Sequence, residues 1–230
     1  MTPVFEALAD DALLLRFGNA IEQTHNTRAL SVAQRLRELQ PPWLRDVVPA
    51  YASLAVFFDC DRIDDADPHA FVATALHDCL DAGTDRAGIP ARTVDIPVCY
   101  HGDMAPDLAE AAGELGLGIE ELIQRHCAAD YTVAMIGFAP GFPYLLGLPE
   151  SLALPRLATP RTRVPAGSVA IGGSQAGIYP RESPGGWRLL GRTPLALFDP
   201  ARIAPSLLAP GDRVRFQRID LAEFERMASP

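Results

Sequence analysis

Apolar and polar residues alternate with two different periods along the first hundred positions, and each change of period marks a new element. Residues 12–17, Ala-Leu-Leu-Leu-Arg-Phe, read as a short strand, with 4–8 placed to pair with it. Asn19, with Glu22 three residues on, has the form of a helix cap and capping box. Ala29, Val32, Leu36 and Leu39 then recur at helical spacing until Pro41-Pro42 stops the helix. Two β-like runs follow, 45–51 and 53–59, close enough for a hairpin. Pro68 opens a second helix with Phe71, Val72, Ala75, Leu76 and Cys79 along one side, ending near Gly83, and 93–100 is a further strand. The order β–α–β–β–α–β predicts an α+β, ferredoxin-like N-terminal domain.

The pattern changes after residue 100. Two helical stretches, 106–115 and 119–127, are broken by Gly113, Gly116 and Gly118 and form an insert near 106–128. Beyond Tyr131 the chain turns to short strands between Gly/Pro turns, with candidates at 131–138, 169–171, 187–190, 195–198 and 213–218. That pattern indicates a β-barrel or sandwich. The boundary falls near 87–92, which gives domains of 1–90 and 91–230.

Residues 137–187 stand apart. Seventeen of these 51 positions are Gly or Pro, yet Phe138, Phe142, Tyr144, Val164, Val169, Ile171 and Trp187 supply apolar surface that disordered linkers lack. Pro fixes φ and removes a donor while Gly permits positive φ, so neither a long helix nor a central strand is expected here. Ordered loops over a β scaffold are expected instead, and such loops carry binding groups. The ionisable side chains are four Arg and two Glu, with no Asp, His, Cys or Lys. That set suits anion binding better than acid–base chemistry.

Composition narrows the function further. With 230 residues and 48% hydrophobic content, the chain can bury a real core. All 20 basic residues are arginine, which excludes a Walker A lysine, a Schiff-base lysine and a biotinylated lysine. Residues 1–130 carry 9 Arg against 22 acids, net −13, whereas 131–218 carry 10 Arg against 4 acids, net +6. The second half therefore suits a carboxylate or phosphate ligand, while the acidic total of −9 argues against nucleic acid. The N-terminal residues have neither the basic nor the apolar region of a secretory signal, and no apolar run is long enough for a membrane span. Cys60, Cys79, Cys99 and Cys127 are widely spaced and read as free thiols of a cytoplasmic protein.

Several residues are candidates for chemistry. Arg161 and Arg163, two apart on an extended segment, would project to one side and suit carboxylate or phosphate. Glu182 is the sole carboxylate near the SPGGW block, a candidate general base or metal contact, or else a salt-bridge partner of Arg181 or Arg188. Gln175, Tyr179 and Ser183 offer neutral hydrogen-bond groups, and Phe142 and Trp187 could wall a pocket or belong to the core. The glycine-rich run 167–177 could cradle phosphate on its backbone N–H groups, although it lacks the Walker pattern. The five histidines show no metal-ligand spacing. With no Ser-His-Asp or Cys-His arrangement in 137–187, part of any catalytic machinery must come from another segment or another polypeptide.

Five ordered blocks carry a family resemblance: GFAPGFPYLLGL (137–148), TPRTRVPAGSVAI (159–171), GIYPRESPGGW (177–187), GRTPLALFDP (191–200) and PGDRVRF (210–216). Together they resemble the family of 5-oxoprolinase B subunits, also called allophanate hydrolase subunit 1, which includes the sporulation-kinase inhibitors. The resemblance implies a small α+β domain followed by a cyclophilin-like β-barrel. It also implies a complex with a homologous C-type barrel protein and a separate A-type protein. Such a complex cleaves 5-oxoproline to glutamate with hydrolysis of ATP, and Mg is expected with the nucleotide. Other branches handle urea or inhibit a sensor histidine kinase. On this reading Arg161, Arg163 and Glu182 are catalytic. The substrate-binding set is Phe138, Pro140, Phe142, Gln175, Tyr179, Ser183, Gly185, Gly186 and Trp187. Two departures stand out: His101 occupies a position where the family usually has glycine, and Ser174 one where it has asparagine.

Overall fold

The apolar run near residue 12 forms β2 (Ala12–Arg16), which pairs antiparallel with β1 (Val4–Ala9) in a hairpin. The computed structural model describes residues 3–81 and 92–228, and the chain divides into two units, Met1–Pro90 and Ala91–Pro230. In the first unit α1 (Gln23–Leu39) follows the hairpin, then β3 (Leu44–Pro49), β4 (Ser53–Phe58) and α2 (Pro68–Asp81). The four strands form one antiparallel sheet in the order β1-β2-β4-β3. Leu13, Leu15, Leu54, Val56 and Phe58 pack with Val32 and Leu36 of α1 and Val72 and Leu76 of α2 in one core.

The order is therefore ββαββα, and the ferredoxin-like pattern does not appear. Two local effects account for the difference. The Asp10-Asp11 turn lets β1 and β2 pair as neighbours, and the strand predicted at 93–100 finds its partners in the second unit. The capping box is not formed either. Glu22 is the N-cap, without a side-chain bond, and Asn19 lies upstream of the helix. Gln40, in the left-handed conformation, ends α1 just before Pro41. At the start of α2, Asp67 accepts from the Ala70 N–H at 3.0 Å, satisfying one otherwise orphaned donor beside Pro68. The end predicted near Gly83, and nearly all of the boundary at 87–92, lie outside the described residues.

In the second unit β5 (Thr93–Cys99) precedes the helical insert, α3 (Leu108–Leu115) and α4 (Ile119–Ala128). Then come β6 (Tyr131–Ile136), β7 (Pro143–Leu146), β8 (Arg161–Val164), β9 (Ser168–Gly172), β10 (Gln175–Ile178), β11 (Ser183–Gly185), β12 (Arg188–Arg192) and β13 (Arg213–Ile219). A last helix, α5 (Leu221–Ala228), follows. Seven of these strands close a barrel in the order β10-β7-β6-β13-β5-β12-β9, and β8 with β11 makes a separate two-stranded sheet. β5 and β13 pair in parallel along seven residues, from Thr93 with Arg213 to Cys99 with Ile219.

Central strands do run through the Gly/Pro-rich stretch, contrary to expectation. At four to five residues each, β7, β9 and β10 fit between the prolines, and Pro143 stands at a strand start, where it is tolerated. The strand predicted at 195–198 is instead a loop. Leu197 is apolar because it plugs the barrel core, and only Phe198 bridges to Ser206. His101 has an ordinary negative φ of −113°, while Gly102 takes the left-handed position at 53°, so losing a glycine at 101 strains nothing.

Both faces of the barrel wall are covered. Val169 and Ile171 of β9 join the core that links the barrel to α3 and α4, while Ala170 between them joins a second cluster with Phe142, Val164, Tyr179, Trp187 and Leu189. Among the described residues no helix is long and apolar enough to cross a membrane.

Candidate functional site

The second cluster is aromatic, and two tight turns build its rim. The Ala139 N–H donates to Gly137 O at 2.7 Å around Phe138, whose φ is +65°, the rarer and strained hand of a three-residue turn. The Phe142 N–H then donates to Ala139 O at 3.0 Å, with Pro140 and Gly141 (φ +80°) between them, the pattern of a type II turn. Any side chain at Gly141 would also meet Phe198 Cβ at 2.7 Å. These turns hold Phe138 outward at 63% exposure, beside the fully packed Phe142 (ring centroids 5.4 Å apart). Phe142 in turn packs edge-on against Tyr179 at 5.2 Å and Trp187 at 5.8 Å. Phe142 and Trp187 are thus core; Phe138 alone of the three presents its ring to solvent.

Next to this cluster, through Val164, lies the β8–β11 sheet, which carries Arg161, Arg163, Ser183 and Gly185 of the predicted residues, with Glu182 just before it. Its register joins Val164 to Ser183 but Arg161 to Gly185, so three steps on one strand meet two on the other. That bulge breaks the simple alternation that would have put Arg161 and Arg163 on one side. The two arginines part company. Arg163, with 76% of its side chain exposed, makes a two-pronged ion pair with Glu182, Nε to Oε1 at 2.9 Å and Nη2 to Oε2 at 3.0 Å. This partner raises the Arg163 pKa, and Glu182 is paired with neither Arg181 nor Arg188. Both oxygens of the candidate base are thereby engaged.

Arg161 is 30% exposed and binds Asp107, which precedes α3 and has only 4% of its side chain exposed. The other Asp107 oxygen accepts from the Leu189 N–H at 2.7 Å, which locks the carboxylate in place. Arg161 Nη1 is buried without a hydrogen-bond partner, and so is Ser183 Oγ. A buried polar atom left unpaired is costly and marks a place where a ligand group or water fits. α3 also neutralises Arg188, through Glu110 at 3.4 Å and Glu114 at 2.8 Å. Acids of the insert therefore temper the positive second half, a pairing that local sequence pattern does not reveal.

The remaining candidates take distinct places. Tyr179 is buried, and its hydroxyl sits where a Cβ on Gly185 would come within 2.3 Å, so glycine is required at 185. Burial raises the Tyr179 pKa, with the Trp187 backbone N–H and the charges of Arg156 and Arg161 pulling it the other way. Gly186 O accepts from the Leu157 N–H at 2.7 Å and ties the 155–157 segment to this strand. Gln175 stands at the start of β10, just after the two-residue turn Gly173-Ser174. Sequence reasoning missed Asp107 and Arg156. The guanidinium of Arg156 lies 5.4 Å from the Trp187 ring centre, a cation–π contact.

The phosphate cradle expected at 167–177 is not there. β9 and β10 consume those backbone donors in their ladder, Gly167 N–H goes to Tyr179 O and Gly173 N–H to Leu154 O. Among the described residues no group of three or more His, Cys, Asp or Glu could hold a metal ion.

Away from this site, His126 and Tyr131 pack against Phe216 in the barrel core, with Tyr100 against His126 and Cys127 beside it. Tyr100 Oη lies 2.8 Å from His126 Nδ1, and burial lowers the His126 pKa to about 3. Burial also raises the pKa of both tyrosines and of Cys127, so the cluster carries no charge near neutrality.

Comparison with known proteins matches residues 3–208 to the carboxyltransferase domain, subdomain C and D. The chain is 55% identical over 211 residues to the 5-oxoprolinase B subunit of Escherichia coli O157:H7, covering 91% of this chain and 93% of that one. It is 40% identical over 225 residues to the 5-oxoprolinase B subunit of Bacillus subtilis (strain 168), covering 95% and 94%. The crystal structure of TTHA0988 superposes with a TM-score of 0.79 at 42% identity, covering 91% of this chain but only 40% of that longer one. Shared sequence over nearly the whole length, on a matching barrel, places the chain in the family of 5-oxoprolinase B subunits.

Proposed function

We propose that this chain is one component of an ATP-dependent 5-oxoprolinase, which opens the lactam of 5-oxoproline to give L-glutamate. It would act in the cytoplasm with a homologous C-type barrel protein and an A-type polypeptide. The names of relatives 40% and 55% identical to it support this reading, and its four free thiols suit a reducing compartment. Within the chain, the observation that carries it is Arg161: Asp107 fixes one end of the guanidinium while Nη1 stays buried and unpaired. A guanidinium so held is pre-oriented for a ligand oxygen and needs no reorganisation on binding.

Amide resonance makes the lactam carbonyl a poor electrophile, and ATP is the co-substrate that would activate it. The glycine-rich run offers no cradle for the nucleotide's phosphates, because β9 and β10 pair it as a β-hairpin. Glu182, bound to Arg163 through both oxygens, is likewise a poor Mg contact. We therefore assign this chain the binding and orientation of the cyclic carboxylate, with Arg161 and Ser183 as polar contacts and Phe138 at the rim. Nucleotide binding is assigned to the partner polypeptides.

The test is co-expression with the C-type and A-type partners, followed by phosphate release with and without 5-oxoproline. Arg161→Ala should lower oxoproline-dependent turnover at least tenfold; near-normal turnover would refute the role of Arg161, and no dependence on 5-oxoproline in the wild type would refute the function. The carboxyltransferase match favours one second reading, a urea-pathway component, which predicts ATP turnover with urea compounds in the same assay.

A further inference from the structure

Arg156 lies outside all five sequence blocks that carry the resemblance, yet the fold brings it to the 185–187 segment, where Gly185 pairs with Arg161. Gly185 is the register partner of Arg161. Gly186 O accepts from the N–H of Leu157, the residue after Arg156, at 2.7 Å. Trp187 carries the Arg156 guanidinium over its ring at 5.4 Å. Segments 155–157 and 161–164 thus both meet 183–187, and the Tyr179 hydroxyl packs against Gly185.

The charges in this neighbourhood are unequal. Asp107 partly neutralises Arg161, whereas Arg156 is exposed and pairs with no carboxylate among the described residues. It rests on the Trp187 face, which orients the guanidinium without cancelling its charge. Both arginines reach the Tyr179 hydroxyl electrostatically. Arg156, Arg161 and Asp107 by themselves carry a single net positive charge, and Arg188 beside Pro155 is more than offset by Glu110 and Glu114.

We infer that Arg156 and Arg161 form a two-guanidinium clamp for the carboxylate of a small monoanionic ligand. Arg161 offers the buried Nη1, and Arg156 supplies the uncompensated charge from the face of Trp187. A net charge of one favours a monocarboxylate over dianionic phosphate. The inference deepens the proposed function and rests on it for the ligand's identity, while the clamp itself is a property of this chain.

Two measurements separate the two ideas. In the assembled complex, Arg156→Ala should raise KM for 5-oxoproline about tenfold with kcat within twofold, and Arg156→Lys should recover part of the loss. An unchanged KM, or a fall in kcat alone, overturns the clamp and leaves the function standing. On the full chain, Trp43→Phe leaves Trp187 as the sole indole. Its fluorescence should change saturably with 5-oxoproline and not with 2-pyrrolidone, which lacks the carboxylate, and inorganic phosphate at pH 8 should bind more weakly. Adding Arg156→Ala should weaken the 5-oxoproline response about tenfold. If the complex has no oxoproline-dependent turnover while Trp187 still responds to acetate or butyrate through Arg156, the clamp stands and the function falls. No response to any carboxylate overturns the clamp.

Discussion

On one side of the barrel wall, His126, Tyr131 and Tyr100 lie in the apolar core; on the other, Tyr179 and Arg156 pack against Trp187, and Arg161 pairs with Gly185 nearby. Both regions bury polar atoms that lack partners, His126 Nε2 and Tyr131 Oη in the first, Arg161 Nη1 and Ser183 Oγ in the second. Their chemistry nonetheless diverges. In the core, desolvation holds every titratable group neutral and no carboxylate fixes a cation. In the outer region, the buried Asp107, itself locked by the Leu189 N–H, holds the Arg161 guanidinium in one orientation. Burial leaves His126 and the neighbouring Cys127 uncharged near neutrality. The arginines, plain in sequence, keep their charge and therefore their capacity to bind.

The contrast can be broken most severely at Asp107. Asp107→Ala strands the Arg161 guanidinium and the Leu189 N–H, and should cost about 3 kcal/mol, the lower end for a buried pair because Arg161 is partly exposed. Urea denaturation of the second unit measures this, and a loss below about 1 kcal/mol would show that the carboxylate is not what orients the site.

The core side is tested by acid. His126 titrates near 3 when folded against an ordinary 6.5, so the unfolded chain takes up the proton first as pH falls. Stability is full above pH 6.5 and declines toward 3, by about 2 kcal/mol at pH 5. Comparing His126→Phe with wild type should show this component of the pH dependence removed. A parallel decline in both proteins would mean the ring is not neutral in the fold.

Smaller still, Gly185→Ala pushes a methyl into the Tyr179 hydroxyl and should cost about 1–2 kcal/mol by thermal melting, with an unchanged midpoint as the contrary result. The smallest effect belongs to Arg163→Ala. Its exposed pair with Glu182 should leave the melting midpoint unmoved and oxoproline turnover within threefold of wild type, and a tenfold loss would restore it to the site.

How much of this was legible in sequence depended on the range of the interaction. Helices α1 and α2, the β3–β4 hairpin and the helical insert follow from local periodicity and from Pro41 and Pro68, so they could be read directly. Strands of three to five residues, such as β7, β10 and β11, are too short to display a period. The parallel partner of β5 lies far along the chain, which is why local pattern alone assigns a strand of the barrel to the wrong domain. At the site, Arg161 and the SPGGW block stood out by composition. Asp107, 54 residues from Arg161, and the bulge that separates Arg161 from Arg163 are products of tertiary pairing.

The placement of β13 between β5 and β6 has a consequence for synthesis. A nascent chain that has reached residue 208 already contains β5 and β6 but not the strand that joins them. Two open sheet edges must then wait on the ribosome, exposed to other chains, until residues 213–219 arrive. Closure of this barrel accordingly waits on residues 213–219.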